Sequence, residues 1–339
     1  MPEVQIIIPA YNAHKTIIKT LESITIQRVD FEFQVCIVDD NSRNNYDSIV
    51  KKFSHFFKLD YFKTPKNVGP GLARQYGIDK TFSKYIVFID ADDYFYSPFS
   101  LKKLYEIINQ NTADIGITSF IYERDNERKI LRNNPTWLHG KIYRRTFLEK
   151  NDIRFNNTRA NEDNGFNHLI FLLSPKIQLS SDVTYVYQEN NESITRKNNR
   201  LYRYTGLEWF TYNINWAIEE SLKKTENKEK ILKLSLSALA SLYIHYLELK
   251  NEYDISKILK WSKPLKNYYN KYNQLPITNI LKKITIENKQ IKNKNIEYFI
   301  TFEEFLDRIE EYDDWHYYTR LQCTQNFTIY PYEYWHSNI

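Results

Sequence analysis

Cysteine is nearly absent from this chain of 339 residues: Cys36 lies inside an apolar run and Cys323 near the end. Two such thiols supply neither a disulfide framework nor a cysteine metal site, so any metal must be held by oxygen or histidine. No run approaches the roughly 18 apolar residues that cross a bilayer. The start, M-P-E-V-Q-I-I-I-P, lacks the basic n-region and cleavage site of a signal peptide. A cytoplasmic protein is expected, with a peripheral place at the inner face of a membrane left open. Internal repeats are also lacking. What remains, 42% hydrophobic and 26% charged residues, is the composition of a folded globular chain, long enough for about two domains.

Positive charge exceeds negative only modestly, with 47 Lys and Arg against 42 Asp and Glu. That suits an anionic ligand without identifying one. Its distribution is more informative. From Lys257 to Lys294 there are ten Lys against the single acid Glu287, whereas Glu303 to Asp314 holds seven acids against Arg308. Two readings stand side by side: the blocks pair with each other, or the basic block, with Trp261, Tyr268, Tyr269 and Tyr272 interleaved, tracks a polyanion.

The first half of the chain alternates between two periods. Val4 to Pro9 and Phe33 to Val38 are short β-rich runs, and between them Ile17, Ile18, Leu21 and Ile24 recur at helical spacing. The pattern continues with a helix over Tyr46 to Phe57, a strand near Leu59 to Phe62, a helix from Pro70 to Phe82 and the strand Tyr85 to Ile89. Ser97-Pro98 reads as the start of a helix reaching about Asn111. Such alternation predicts a mainly parallel sheet with helices on both faces, whose ligands bind outside the carboxyl ends of the strands. Beyond Tyr202 the strand signal fades into predicted helices at Glu208 to Lys223, Lys228 to Lys250, Ile255 to Tyr272 and Phe302 to Tyr312. Asn288 to Asn295 reads as an exposed loop. The boundary is set at residue 200: a catalytic domain over 1–200 and a helical C-terminal domain over 201–339, the latter a candidate acceptor-binding region.

Successive strand ends carry the chemistry. Y-I-V-F-I-D-A-D-D-Y-F gathers Asp90, Asp92 and Asp93, with Ala91 between them, where an apolar run ends. Unpaired carboxylates there repel one another and resist desolvation, so a cation is the expected partner. The first strand ends in Pro9, Ala10, Tyr11 and Asn12, the second in Asp39 and Asp40, and a following loop brings Asn67, Gly69 and Arg74. Together they suit a nucleotide: the ring of Tyr11 covers a base, an Asp accepts from a pyrimidine imide N–H, and Arg74 meets negative charge. Packing for Tyr11, turn chemistry for Asp40-Asn41-Ser42 and a simple bend at Gly69 are the structural alternatives.

In order, P-A-Y-N, V-D-D-N-S, N-V-G-P-G-L-A-R-Q-Y-G, D-A-D-D and N-E-D-N resemble the glycosyltransferase family 2 enzymes of the GT-A fold, over about Val4 to Arg196. The resemblance implies an inverting transfer from a nucleotide-sugar donor, usually a uridine diphosphate sugar, with Mn²⁺ or Mg²⁺. It places Asp92 on the metal and Asp90 on the ribose or a metal-bound water. It also makes Asp163 the base that takes the acceptor proton, with Glu162 orienting the acceptor. Helix N-terminal acids that complement the helix dipole are the bland alternative for that pair. In W-L-H-G-K-I-Y-R-R, Trp137, His139 and Lys141 become acceptor contacts, and in E-S-I-T-R, Ser193 and Arg196 belong to a loop over the diphosphate.

The acceptor stays open between a cell-surface glycan, a teichoic-acid-like polymer and DNA. The asparagine, lysine and tyrosine bias points to an AT-rich genome and keeps a phage-type DNA glucosyltransferase acting on hydroxymethylated bases in view. Two other classes compete. A nucleotidyltransferase needs a glycine- and basic-rich triphosphate loop, in which P-A-Y-N-A-H-K-T is poor; a non-catalytic sugar-nucleotide-binding protein has no use for both Asp92 and Asp163.

Overall fold

The computed structural model describes residues 1–110, 112–124, 127–188, 199–249, 254–292 and 300–311. The chain divides into two compact units, Met1–Ile231 and Leu232–Ile339.

The first unit opens with three β-α pairs: β1 (Val4–Ala10), α1 (Ile17–Thr25), β2 (Phe33–Asp39), α2 (Asp47–Phe53), β3 (Lys58–Lys63) and α3 (Pro70–Lys80). Next come β4 (Tyr85–Phe88), the short β5 (Tyr94–Phe95) and α4 (Ser100–Asn109). Strands β3, β2, β1 and β4 lie side by side and parallel. Val4, Ile6, Ile7 and Ile8 are all fully buried, as is Gln5 between them, because helices cover both faces of a parallel sheet and its central strands are largely apolar. Pro9 interrupts that run where it costs least. The carbonyl of Ile7 takes the Ile89 N–H at 3.2 Å, so two residues on, the donor that proline lacks faces the side β4 has already left.

The second half of the sheet is built from strands the sequence reading did not locate. They are β6 (Ile115–Arg124), β7 (Glu127–Leu131), β8 (Lys141–Arg144) and β9 (Ile177–Tyr187), joined by α5 (Arg145–Lys150) and α6 (Glu162–Leu172). The order is β3-β2-β1-β4-β8-β6-β9-β5, with β8 antiparallel to both neighbours and β7 hairpinned on β6. Strand β9 starts with alternating exposed and half-buried residues and ends in the buried Thr184, Tyr185 and Val186 followed by the half-buried Tyr187. Its polar half hides the strand from any search for continuous apolar runs. The fold is mixed α/β, a sheet flanked by helices and followed by a helical C-terminal region.

Helix α7 (Asn199–Leu222) starts well before the expected Glu208 and packs on α6 within the first unit. After it, α8 (Lys228–Leu249) crosses the division, and α9 (Ser256–Tyr272), α10 (Thr278–Lys292) and α11 (Phe302–Glu311) complete the described second unit. Of Asn288 to Asn295, expected in a loop, residues 288–292 continue α10, since Lys and Gln are good helix formers, and residues 293–295 lie outside the described residues. Within this unit the oppositely charged blocks meet. Lys266 pairs with Glu310 at 2.9 Å and Lys282 with Glu303 at 2.8 Å. Trp261 and Tyr272 are buried in its core alongside Phe305 and Ile309. No described helix is long and apolar enough to cross a membrane.

Candidate active site

The carboxyl ends of β1, β2 and β3 are tied to one another by polar side chains. Asn12 takes a left-handed backbone, φ 51°, which asparagine tolerates better than most residues. There its N–H donates to Ser42 Oγ at 2.8 Å while its Oδ1 accepts the Arg43 N–H at 3.1 Å. Asp39 is buried and accepts from the Ser42 N–H at 2.7 Å and the Tyr61 hydroxyl at 2.8 Å. Asp40, also buried, accepts from the N–H groups of Val68 at 2.7 Å and Gly69 at 2.8 Å and from Thr64 Oγ1 at 3.1 Å. Asn67 donates to the Asp40 carbonyl at 3.2 Å. Gly69, with φ at 89°, turns the chain into α3, a conformation that favours glycine. Both carboxylates thus hold loops, and Tyr11, which follows Ala10 at the end of β1, is 38% exposed.

The acidic cluster follows β4. Asp93 N–H returns to the Asp90 carbonyl at 3.0 Å, forming a tight turn before β5. Tyr185 of β9 anchors it, receiving the Asp90 N–H at 3.2 Å and donating its hydroxyl to Asp93 at 2.6 Å. Asp93 also accepts the Gln188 N–H at 2.9 Å. Burial, and the charges of Asp92 and Asp90, push the Asp93 carboxyl well above the usual range. His139 lies against the same turn. Its ring stacks on Tyr185 at 4.7 Å, and its Nε2 stands 3.7 Å from Asp90 and from Asp93, beyond hydrogen-bond length. Burial lowers its pKa.

These groups fit a divalent ion. Asp90, Asp93 and His139 offer ligand atoms within 4.8 Å of one another. The imidazole Nδ1 is buried without a hydrogen-bond partner, and carboxylate with imidazole is a donor set that Mn²⁺ accepts. Asp92, half-buried in the same turn, adds a further carboxylate.

Arg74 joins this cluster to α6. Only 5% of its side chain is exposed, and its guanidinium donates to Asp90 at 2.6 Å and to Glu162 at 2.8 Å. Burial works against the Asp90 carboxylate, but Arg74 and His139 outweigh it and hold the carboxyl well below the usual range. Gly71 makes the bridge sterically feasible, because a Cβ there would sit 2.7 Å from Glu162 Cγ. Next to Glu162, the half-buried Asp163 is pushed up to about 7, chiefly by burial and then by the Glu162 charge. Lys141, at the start of β8, is buried with its Nζ on the Trp137 carbonyl. Burial brings it down to about 7 against the upward pull of Asp163. Asn167 steadies the helix, donating to the Asp163 carbonyl at 3.2 Å and accepting the Tyr143 hydroxyl at 2.9 Å.

Trp137 belongs to an aromatic wall beside His139, 5.6 Å from Phe120 and 5.8 Å from Tyr187, which in turn lies flat on Tyr122 at 5.4 Å. Asp90, Asp92, Trp137, His139, Lys141, Glu162 and Asp163 therefore converge, and Arg74 meets carboxylates of the protein itself. Ser193 and Arg196 lie outside the described residues. Tyr185, Gly71 and Asn167 were not anticipated. Tyr185 sits in a polar strand with no motif around it, and the need for Gly71 arises only once Glu162, far along the chain, packs on it.

Known proteins resemble this chain in sequence and in fold. Residues 5–161 match the model of glycosyl transferase family 2. The poly(ribitol-phosphate) β-N-acetylglucosaminyltransferase TarS of Staphylococcus aureus is 29% identical over 215 residues, which make up 57% of this chain and 36% of that protein. A poly(ribitol-phosphate) β-glucosyltransferase of Bacillus spizizenii is 27% identical over 205 residues, 55% of this chain and 32% of that one. The chain spans about a third of the length of these relatives. Among solved structures, S. aureus TarS 1-349 in complex with UDP-GlcNAc superposes with a TM-score of 0.62 at 19% identity, covering 88% of this chain and 93% of that one. The mannosyltransferase PcManGT of Pyrobaculum calidifontis, in complex with GDP-Man and Mn²⁺, gives 0.53 at 15% identity, covering 93% and 88%. At these identities the likeness to the solved structures is one of fold.

Proposed function

The chain carries a glycosyltransferase family 2 domain over residues 5–161, and from that premise we propose that it moves a sugar from a UDP-sugar to a hydroxyl of a teichoic-acid-like polymer, with inversion. UDP-GlcNAc and poly(ribitol phosphate) are the first substrates to test, because the relatives' names carry them. One observation carries the reading: a carboxylate with a pKa of about 7 neighbours Glu162, which Arg74 ties to Asp90 of a metal-competent cluster. A base close to an ion site suits an inverting transfer.

In this mechanism the acceptor hydroxyl lies against Asp163. Its oxygen attacks the anomeric carbon as Asp163 takes the proton, and the bond from that carbon to the diphosphate oxygen breaks, releasing UDP. Asp90, with Asp92 of the same turn and Asp93 and His139 beside it, would hold a divalent ion, which would supply neutralisation of charge on the departing diphosphate. Arg74 keeps the Asp90 carboxylate ionised for that ion and holds Glu162 in place beside the base. Asp39, Asp40, Asn67 and Gly69 fix the loops that face the nucleotide, Pro9 to Asn12 form its floor with Tyr11 over the base, and Trp137 offers a flat face to a sugar. The lysine block is not what supports a polyanionic acceptor, since Lys266 and Lys282 are engaged with Glu310 and Glu303.

The test is transfer itself. Nucleotide sugars are presented with Mn²⁺ and poly(ribitol phosphate), and the glycosylated polymer is read by mass spectrometry. Transfer from UDP-GlcNAc or UDP-glucose is expected. Turnover confined to a GDP-sugar, or to neutral glycans with the polymer untouched, would overturn the assignment.

A further inference from the structure

Asn213 of α7 is fully buried, 50 positions along the chain from Asp163, yet its amide is hydrogen-bonded to the segment that leads into it. Nδ2 donates to Thr158 Oγ1 at 3.1 Å, to the Ala160 carbonyl at 3.1 Å and to the Trp209 carbonyl of its own helix at 2.9 Å. Oδ1 accepts from Asn156 Nδ2 at 3.2 Å and Thr158 Oγ1 at 3.3 Å. One buried amide is thereby satisfied on both of its ends by residues 156–160 and by α7. Such a group is costly to bury, and once its partners depend on it, truncating it leaves them unsatisfied.

The surrounding contacts show what this clasp orients. Asn161, the last residue before α6, is left-handed at φ 58° and donates to the Gly206 carbonyl of α7 at 3.2 Å. Gly165, one turn into α6, has no room for a side chain, because a Cβ would lie 2.8 Å from Asn213 Oδ1. At the other end of the segment, Arg159 donates to the side chain and the carbonyl of Asn67. The 156–161 segment is therefore held between the donor-side loop and α7, and Glu162 and Asp163 follow it directly.

We propose that Asn213 is a positioning residue for the base: by clasping residues 156–160 it fixes where the first turn of α6 presents Asp163. The inference rests on the reading of Asp163 as base. A displacement of about 1 Å at a reacting group costs on the order of 10²-fold in rate, so the clasp is felt in turnover although it never touches substrate. The charged groups acting on Asp163 are Glu162 beside it, Arg74 from α3, Lys141 from β8 and Asp90 after β4. When the segment loosens, water reaches the carboxylate and restores it toward the ordinary range, so the acidic limb of kcat moves to lower pH.

Asn213→Ala and the isosteric Thr158→Val are compared with Asp163→Asn, using UDP-GlcNAc and poly(ribitol phosphate) from pH 5.5 to 8.5, with UDP-binding stoichiometry as the count of folded enzyme. The expected result is a kcat per folded molecule lowered roughly tenfold or more in Asn213→Ala and less in Thr158→Val. Donor KM should stay within about twofold and the acidic limb should fall by about half a unit or more. If Asp163→Asn is inactive but both other variants keep native kcat and the native limb, the positioning role is wrong and the base assignment stands. Should Asp163→Asn turn over normally, the base assignment fails and takes the inference with it. A loss explained entirely by reduced UDP stoichiometry, with the limb unmoved, also overturns the inference. Were Asn213→Ala to aggregate, Thr158→Val decides alone by the same criteria.

Discussion

Replacing Arg74 by methionine, similar in length and apolar, removes the cation shared by the buried Glu162 and the half-buried Asp90. The guanidinium makes charge-assisted hydrogen bonds of 2.6 Å to Asp90 and 2.8 Å to Glu162, and the three side chains are 5%, 29% and 8% exposed. Breaking a buried pair from one side typically costs about 3–5 kcal/mol, because the stranded charge keeps its desolvation penalty. For a unit of this size each kcal/mol lowers Tm by about 2–4 °C, so a fall of about 6–20 °C is expected at pH 7.5. The pH dependence carries a sign. In the native protein the Asp90 pKa is depressed, so its contribution is present above the unfolded carboxylate pKa and is lost as pH falls through the folded value. Without Arg74, burial raises the Asp90 pKa instead, and the variant regains stability as pH drops and the acid takes up its proton. At pH 4.5 the native contribution is still in place, so the gap between the two proteins narrows through the variant alone, as its Asp90 takes up the proton. Melting followed by circular dichroism at pH 7.5 and 4.5 reads the difference. A Tm within about 2 °C of native at pH 7.5, or a gap that widens in acid, would refute the bridge as the element that holds Asp90 and Glu162.

Asp92→Ala should weaken Mn²⁺ binding measured by calorimetry at least about tenfold and abolish donor turnover, as loss of a charged ligand implies; near-native activity in Mn²⁺ would remove Asp92 from the metal. Asp163→Asn should leave UDP affinity intact while transfer falls roughly two to four orders of magnitude, whereas weakened UDP binding with normal turnover would put Asp163 in the donor pocket. Native kcat should rise with pH through about 7, where Asp163 loses its proton; a flat profile from pH 6 to 8 contradicts that. The triple variant of Lys260, Lys263 and Lys266 to Gln should lose a few degrees of Tm, about 1 kcal/mol from the Lys266–Glu310 pair, with the salt dependence of the acceptor KM unchanged. A flattened salt slope would restore the polyanion role of that block.

Sequence alone determined the elements that announce themselves locally. The apolar run Ile6 to Ile8 of β1, the helical spacing of Ile17, Leu21 and Ile24, and the three aspartates after β4 each report their own environment within a few residues, since side-chain period follows directly from backbone geometry. That was enough for the β-α order and for bringing Asp90, Asp92 and Arg74 into one neighbourhood beyond the carboxyl ends of the parallel strands. Tertiary structure decided what those residues do to one another. Arg74 meets carboxylates 16 and 88 positions away, Asp40 is taken up by backbone N–H groups 28 and 29 positions on, and Tyr185 reaches back 92 to hold Asp93. It also placed α7 with the first unit rather than with the helices that follow it. Periodicity assigns a residue to a face of its element; which distant group lies opposite that face depends on strand order and helix packing, and these come from the competition of all the faces for burial at once.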